Sequence, residues 1–233
     1  MKKYLLETNM LNYKDKTIQE LIRKKRWDKL SDFEKIKQIY MFIRDDIKFG
    51  YNVDDNIPAS KVLIDYYGQC NTKGTLFMAL LRAVDIPCRL HGFTIDKKLQ
   101  KGVMTGFIYR SAPSNILHSW VEVFYNDKWY NLEGFILDKT YLVKLQEKYS
   151  ECTTSFCGFG VAIDNFKNPV IDWNENDTYI QKNGINKDFG VYNSPDDFNS
   201  EHSQNLNKVK LFLYRNCVRH LMNKKVNSIR NKL

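Results

Sequence analysis

Residues 70–84 of this 233-residue chain can form only a helix that is buried on almost every side. Leu76, Phe77, Leu80, Leu81 and Val84 recur at helical spacing, and the apolar positions of the whole run cover most of its circumference. Such a helix cannot lie on a surface, so the rest of the chain has to wrap it. It starts near Cys70 or Asn71, and Asp85-Ile86-Pro87 ends it, because proline lacks the N–H needed to continue. Strand-like runs follow at residues 88–95, 103–109, 117–125 and 128–132, with Asn126-Asp127 as a tight hairpin turn between the last two. Upstream, residues 17–26 read as a short amphipathic helix through Ile18, Leu21 and Ile22. Ser31, with Glu34 three residues on, opens a second helix carrying Phe33, Ile36, Ile39, Tyr40 and Ile43. Helices first and antiparallel strands after them predict an α+β domain, with the buried central helix packed on the sheet.

Residues 141–148 continue as a helix, and a C-terminal helix from Leu206 places Val209, Leu213, Cys217, Leu221, Val226 and Ile229 on one side. Residues 151–204 are rich in Gly, Asn and Asp without periodicity and read as a wrapped cover. The expected organisation is one domain over residues 1–204, with its core at about 35–135, followed by a basic helix over 205–233. That helix holds eight Lys or Arg and no acid, whereas residues 151–205 hold nine acids against three lysines. Docking of the basic helix on the acidic segment is the simplest account of both. An anionic surface or nucleic acid is the alternative, but no nucleic-acid motif accompanies the charges, so no such partner is expected.

A hydrophobic fraction of 43% with 14% aromatics excludes a disordered chain. No apolar run reaches the ~20 residues of a membrane-spanning helix. Lys2-Lys3 is followed by only Tyr4-Leu5-Leu6 before Glu7, too short for a secretory signal, so a cytoplasmic location is expected. Five cysteines at irregular spacing (Cys70, Cys88, Cys152, Cys157 and Cys217) point to reduced thiols and not to a disulfide scaffold. Cys152 and Cys157 lack the two further ligands a zinc site needs, and neither metal nor cofactor is expected.

One thiol stands apart. Cys70 follows Tyr67-Gly68-Gln69 at a helix start, where unpaired N–H groups and the helix dipole favour negative charge. His118 lies in the strand Leu117-His118-Ser119-Trp120-Val121-Glu122-Val123 and can serve such a thiol as general base. Its neighbours at two-residue spacing are Trp120 and Glu122, while Ser119, Val121 and Val123 face the other way. Glu133 ends the strand after the hairpin, where strand pairing brings an acid beside His118 to orient the ring; Asn131 is a lesser candidate for that role. Gly68 lets substrate approach the backbone, and Gln69 or the Cys70 N–H can donate to an oxyanion. Taken singly, each residue has an ordinary reading: a buried hydrophobe, a satisfied histidine, a loop glutamate. Their order, thiol at a helix start and then imidazole and carboxylate on adjacent strands, is the order thiol acyl transfer requires.

These segments, with Leu80-Leu81-Arg82-Ala83-Val84-Asp85-Ile86-Pro87-Cys88-Arg89 and residues 129–133, resemble the bacterial-type core of the transglutaminase-like superfamily, whose fold is a distorted relative of the papain-like cysteine proteases. The resemblance covers about residues 35–135. It implies Cys70 as nucleophile, His118 as base and Glu133 as acid, with Gly68, Gln69 and Trp120 as oxyanion or substrate-binding candidates. The implied activity is amide or peptide hydrolysis, or acyl transfer, through a thioester on Cys70, acting on a peptide or protein amide. The alternative is a non-catalytic binding module of the same fold with a basic tail. Three positions depart from the family pattern. The acid is usually Asp before Pro but here is Glu133 before Gly134. The aromatic residue after the nucleophile in animal transglutaminases is Asn71, and the usual Gly-Ile-Pro is Asp85-Ile86-Pro87.

Overall fold

The computed structural model describes residues 1–204 and 206–231. Nine α-helices are present among them: α1 (Lys16–Lys25), α2 (Asp32–Met41), α3 (Ala59–Asp65), α4 (Cys70–Ala83), α5 (Gly106–Ser111), α6 (Lys139–Lys148), α7 (Pro195–Glu201), α8 (Lys208–Leu213) and α9 (Arg219–Arg230). The strands are β1 (Lys48–Phe49), β2 (Tyr67–Gly68), β3 (Cys88–Asp96), β4 (Asn115–Tyr125), β5 (Lys128–Leu132), β6 (Phe156–Gly158), β7 (Val161–Ile163) and β8 (Ile185–Tyr192). The architecture is α+β, as the order of elements implies. An antiparallel sheet in the order β5-β4-β3-β8 carries α4 on one face, and α1, α2 and α3 pack around that helix.

Every residue of α4 except Ala83 is buried. Its first turn is capped by Thr72, whose Oγ1 accepts from the Gln69 backbone N–H at 3.1 Å. Gly74 faces the sheet, where a Cβ would make ordinary contact with Val121 and Phe135 at 3.6 and 3.8 Å. Asp15 and Ser31 cap α1 and α2 through the N–H groups of Thr17 and Glu34. Asn126 and Asp127 both take positive φ, the geometry of a two-residue hairpin turn, and join β4 to β5.

The alternation along β4 decides which side chains can meet. Val121 and Val123 are buried toward α4, and Ser119 bonds to that helix through Asn71. His118, Trp120 and Glu122 alternate with these and pair across from Phe93, His91 and Arg89 of β3; His118 lies beyond the end of β5, where its ring reaches Cys70 at the start of α4. The last β4–β5 pair is Val121 with Leu132. Glu133, one residue further, therefore shares the face of Trp120 and His118.

Four expectations are corrected. Residues 103–109 do not form a strand. Gly102 and Gly106 adopt positive φ (95° and 55°), which breaks the extended run, and the chain makes a turn and then α5. Residues 151–204 are more than a cover, since they supply the β6–β7 hairpin, α7 and the fourth strand of the main sheet, β8. In the tail, a π-turn at Tyr214–Val218 inserts a residue between α8 and α9, and the stripe through Val209, Leu213, Cys217 and Leu221 misses the core and is exposed. Met222, Val226 and Ile229 are the residues that pack.

The basic tail docks internally, but not on the acidic segment 151–205. Among the described residues its ion pairs go to Asp54 (from Arg215) and Asp138 (from Arg230, 2.7 Å). Tyr214 Oη donates to the Asn52 carbonyl, and Asn223 bonds both backbone groups of Tyr51. The tail thus braces residues 51–54, the strip leading toward Cys70.

Candidate active site

Cys70 opens α4 and is 8% exposed, while His118 and Glu133 are fully buried. The His118 Nε2–H donates to Glu133 Oε1 at 2.7 Å. The second carboxylate oxygen accepts the backbone N–H groups of Ile180 (2.9 Å) and Gln181 (2.8 Å). A carboxylate held by two backbone donors cannot swing away, so it fixes both the ring plane and the tautomer. With Nε2 engaged, Nδ1 is left buried without a hydrogen bond of standard geometry, and it is the nitrogen available to Cys70. Burial by itself pulls the imidazole pKa down. The Cys70 sulfur and the Glu133 carboxylate outweigh it and raise the pKa to about 10.

The residues proposed for substrate or oxyanion binding sit as follows. Gln69 directs its side-chain Nε2 to Asp55, and its Oε1 accepts from the Asn52 N–H at 3.2 Å. Its amide is therefore engaged in holding the loop, which leaves the N–H groups heading α4 as the donors facing the thiol. Gly68 is required for packing: a Cβ there would stand 2.6 Å from Thr72 Oγ1 and 3.0 Å from Lys73 Cγ. Trp120 lies in an aromatic ladder on the His118 face. Its ring is 4.2 Å from that of Phe93 between centroids, and Phe93 in turn tilts over His118 at 6.2 Å. Asn131 bonds to Asp177 and plays no part at the imidazole. Cys152 is half-buried and Cys157 exposed on β6, and among the described residues no group of three His, Cys, Asp or Glu is placed to hold a metal ion.

Three residues at the site were given no role by the pattern reading. Asn71 and Asp55 bond to one another beside the thiol. Lys73, one turn along α4, is fully buried and donates to the carbonyls of Arg44 (3.1 Å) and Ile136 (3.0 Å). Burial pulls its pKa down to about 7 against the opposing pull of Asp138 and Asp45. A lysine three residues into a helix that is buried along its length was the available clue. Gly134 explains one departure from the family pattern, since a Cβ there would stand 2.7 Å from Tyr40 Oη and 2.9 Å from the Ile171 Cα.

A thiol at a helix N-terminus, an imidazole with one free nitrogen and a fixed carboxylate can together move a proton on and off sulfur. No curated protein matches this chain. Among solved structures, a candidate cysteine protease from Cytophaga hutchinsonii is similar at 13% identity and a TM-score of 0.42, over 83% of this chain and 47% of that one. The chain thus spans about half the length of that protein. The Transglutaminase-like superfamily matches residues 18–134, a span that holds Cys70, His118 and Glu133. With half of its length matched, the protein belongs to the transglutaminase-like superfamily.

Proposed function

We propose that the protein is a thiol enzyme that hydrolyses or transfers the acyl group of a peptide or protein carboxamide through a thioester on Cys70. His118 Nδ1 takes the thiol proton, and the sulfur attacks the carbonyl carbon. The N–H groups at the start of α4 stabilise the oxyanion. The imidazolium then gives its proton to the leaving nitrogen as the C–N bond breaks. Water or an amine next delivers a proton to Nδ1 and attacks the thioester, and the C–S bond breaks to release the sulfur. Glu133 holds the tautomer in which Nδ1 accepts, and it stabilises the imidazolium.

The observation that carries this reading is the Glu133–His118 bond, which engages Nε2 and leaves Nδ1 without a partner in a ring close enough to Cys70 to feel its sulfur. Iodoacetamide labelling with mass mapping at mildly acidic pH tests it. Cys157 and Cys217 are exposed, whereas Cys70 is 8% exposed, so access alone would label Cys70 late. The expected result is that Cys70 is labelled first and that His118→Ala removes its lead. Labelling that follows exposure and ignores His118 would leave only the binding-module alternative. A covalent acyl adduct on Cys70 after exposure to a panel of peptides and amides would identify the substrate class.

A further inference from the structure

Cys70 comes from a helix and His118 from a strand, and among the described residues no backbone hydrogen bond joins α4 to β4. Side chains must therefore set the distance between sulfur and imidazole. The residue beside the thiol is built for this. Asn71 Oδ1 accepts from Ser119 Oγ at 2.9 Å, and its Nδ2 donates to Asp55 at 3.0 Å and toward the Leu117 carbonyl at 3.4 Å. Leu117 and Ser119 are the residues immediately before and after His118. The position after the nucleophile is thus tied to both neighbours of the base. Asp55 also receives the side-chain N–H of Gln69, the residue before Cys70, so one carboxylate pins both flanks of the thiol.

We infer that Asn71 is a positioning residue that fixes the Cys70–His118 geometry, with Ser119 as its strand-side partner and Asp55 as its loop-side anchor. This rests on the reading of Cys70 and His118 as a working pair. Asparagine suits the place because it offers an acceptor and a donor on one short, flat group. Aspartate would set a second carboxylate against Asp55. An aromatic ring, the residue of animal transglutaminases here, offers no amide to bridge loop and strand. The bridge is also protected from water: Asn71 is 7% exposed and Ser119 is 1% exposed, so its bonds are not exchanged for solvent contacts.

The test compares Asn71→Ala, Ser119→Ala and the double variant in the full chain, each with and without His118→Ala. The readout is the rate of iodoacetamide labelling at Cys70 across pH 5–9, beside a thermal melt. Misplacement by a fraction of an ångström at a reacting pair costs about tenfold or more, so each single variant should slow Cys70 about tenfold at neutral pH. The double variant should be no slower than the worse single. On the His118→Ala background neither substitution should slow labelling further. Equal slowing with and without His118 would overturn the inference, since it would show loss of general packing. Wild-type rates and an unmoved pH midpoint would overturn it too. Should Asn71→Ala fail to fold, Ser119→Ala, which removes a single hydroxyl, decides alone on the same criteria. If His118→Ala itself leaves Cys70 labelling unchanged, the thiol–imidazole reading has failed, an outcome distinct from failure of the bridge.

Discussion

Glu133→Gln isolates the charge behind the imidazole, because glutamine keeps the volume and one oxygen while losing the negative charge. That oxygen can still accept from Ile180 and Gln181, whose N–H groups point at it over 2.8–2.9 Å, so the fold should survive. The amide nitrogen then turns toward His118 Nε2, and two donors cannot face one another. The imidazole must move its proton to Nδ1, the nitrogen that has to accept from Cys70. A hydrogen bond to a charged group contributes about 1.5–3 kcal/mol. At about 1.4 kcal/mol per pKa unit, its loss should lower the His118 pKa from about 10 by roughly one to two units. The imidazole keeps its proton at pH 6–7 in both proteins, so the loss should show as a titration displaced downward by roughly one to two units, with Cys70 labelling changing between about pH 8 and 10 and not below. Mass-mapped iodoacetamide kinetics, with an NMR titration of the imidazole and a melting curve as controls, would measure this. A variant that melts like the parent and shows an unchanged imidazole titration and labelling rate would refute the role given to the carboxylate.

Two further predictions concern stability. His118 has a folded pKa raised above its unfolded value of 6.5, so the folded state binds that proton more tightly. Its stabilisation is complete below about pH 6.5 and is lost as pH rises toward about 10. Lys73 acts in the opposite sense over part of that window, because its pKa is depressed. The measurement is therefore the difference between wild type and His118→Ala in urea unfolding at pH 6 and pH 10, and a difference independent of pH would contradict the prediction. Arg230→Ala removes the charged partner of Asp138, whose side chain is fully buried and keeps only backbone N–H bonds from Phe49 and Tyr141 and the nearby Lys73. Stranding a buried charge costs about 3–5 kcal/mol, and the remaining partners place the expected loss near 3 kcal/mol by denaturant unfolding. A loss under about 1 kcal/mol would mean that the tail is not a structural brace.

What could be read from residue order and what could not divide along physical lines. The central helix was legible because its apolar positions cover most of the circumference, and the β4–β5 turn because Asn and Asp tolerate the positive φ found there. The shared face of His118 and Glu133 follows from strand parity once the hairpin is placed. Strand β8 was not legible. It is an exposed sheet edge whose alternation of Ile185, Phe189 and Val191 with polar residues is broken by Lys187, and its pairing with β3 is recorded only in long-range hydrogen bonds. The tail misled in two ways. A π-turn shifts the helical register without a sequence signature, and net charge gives no direction, so Arg215 and Arg230 meet Asp54 and Asp138 and not the more numerous acids of 151–205. The bridge through Asp55, Asn71 and Ser119 was invisible because its three residues belong to a loop, a helix and a strand, and polar contacts of this kind have no periodicity to detect.

The grip of Asn223 on Tyr51, of Tyr214 on Asn52 and of Arg215 on Asp54 ties an early strip of the polypeptide to one made much later. At ribosomal speeds of roughly 5–20 residues per second, about 170 residues of synthesis separate Tyr51 from Asn223, an interval on the order of ten to thirty seconds. Throughout it the helix bearing the thiol can form, but the wall beside it has no backing. The wall beside Cys70 therefore gains its backing only after Asn223 has been made, when the elements before it have had time to settle.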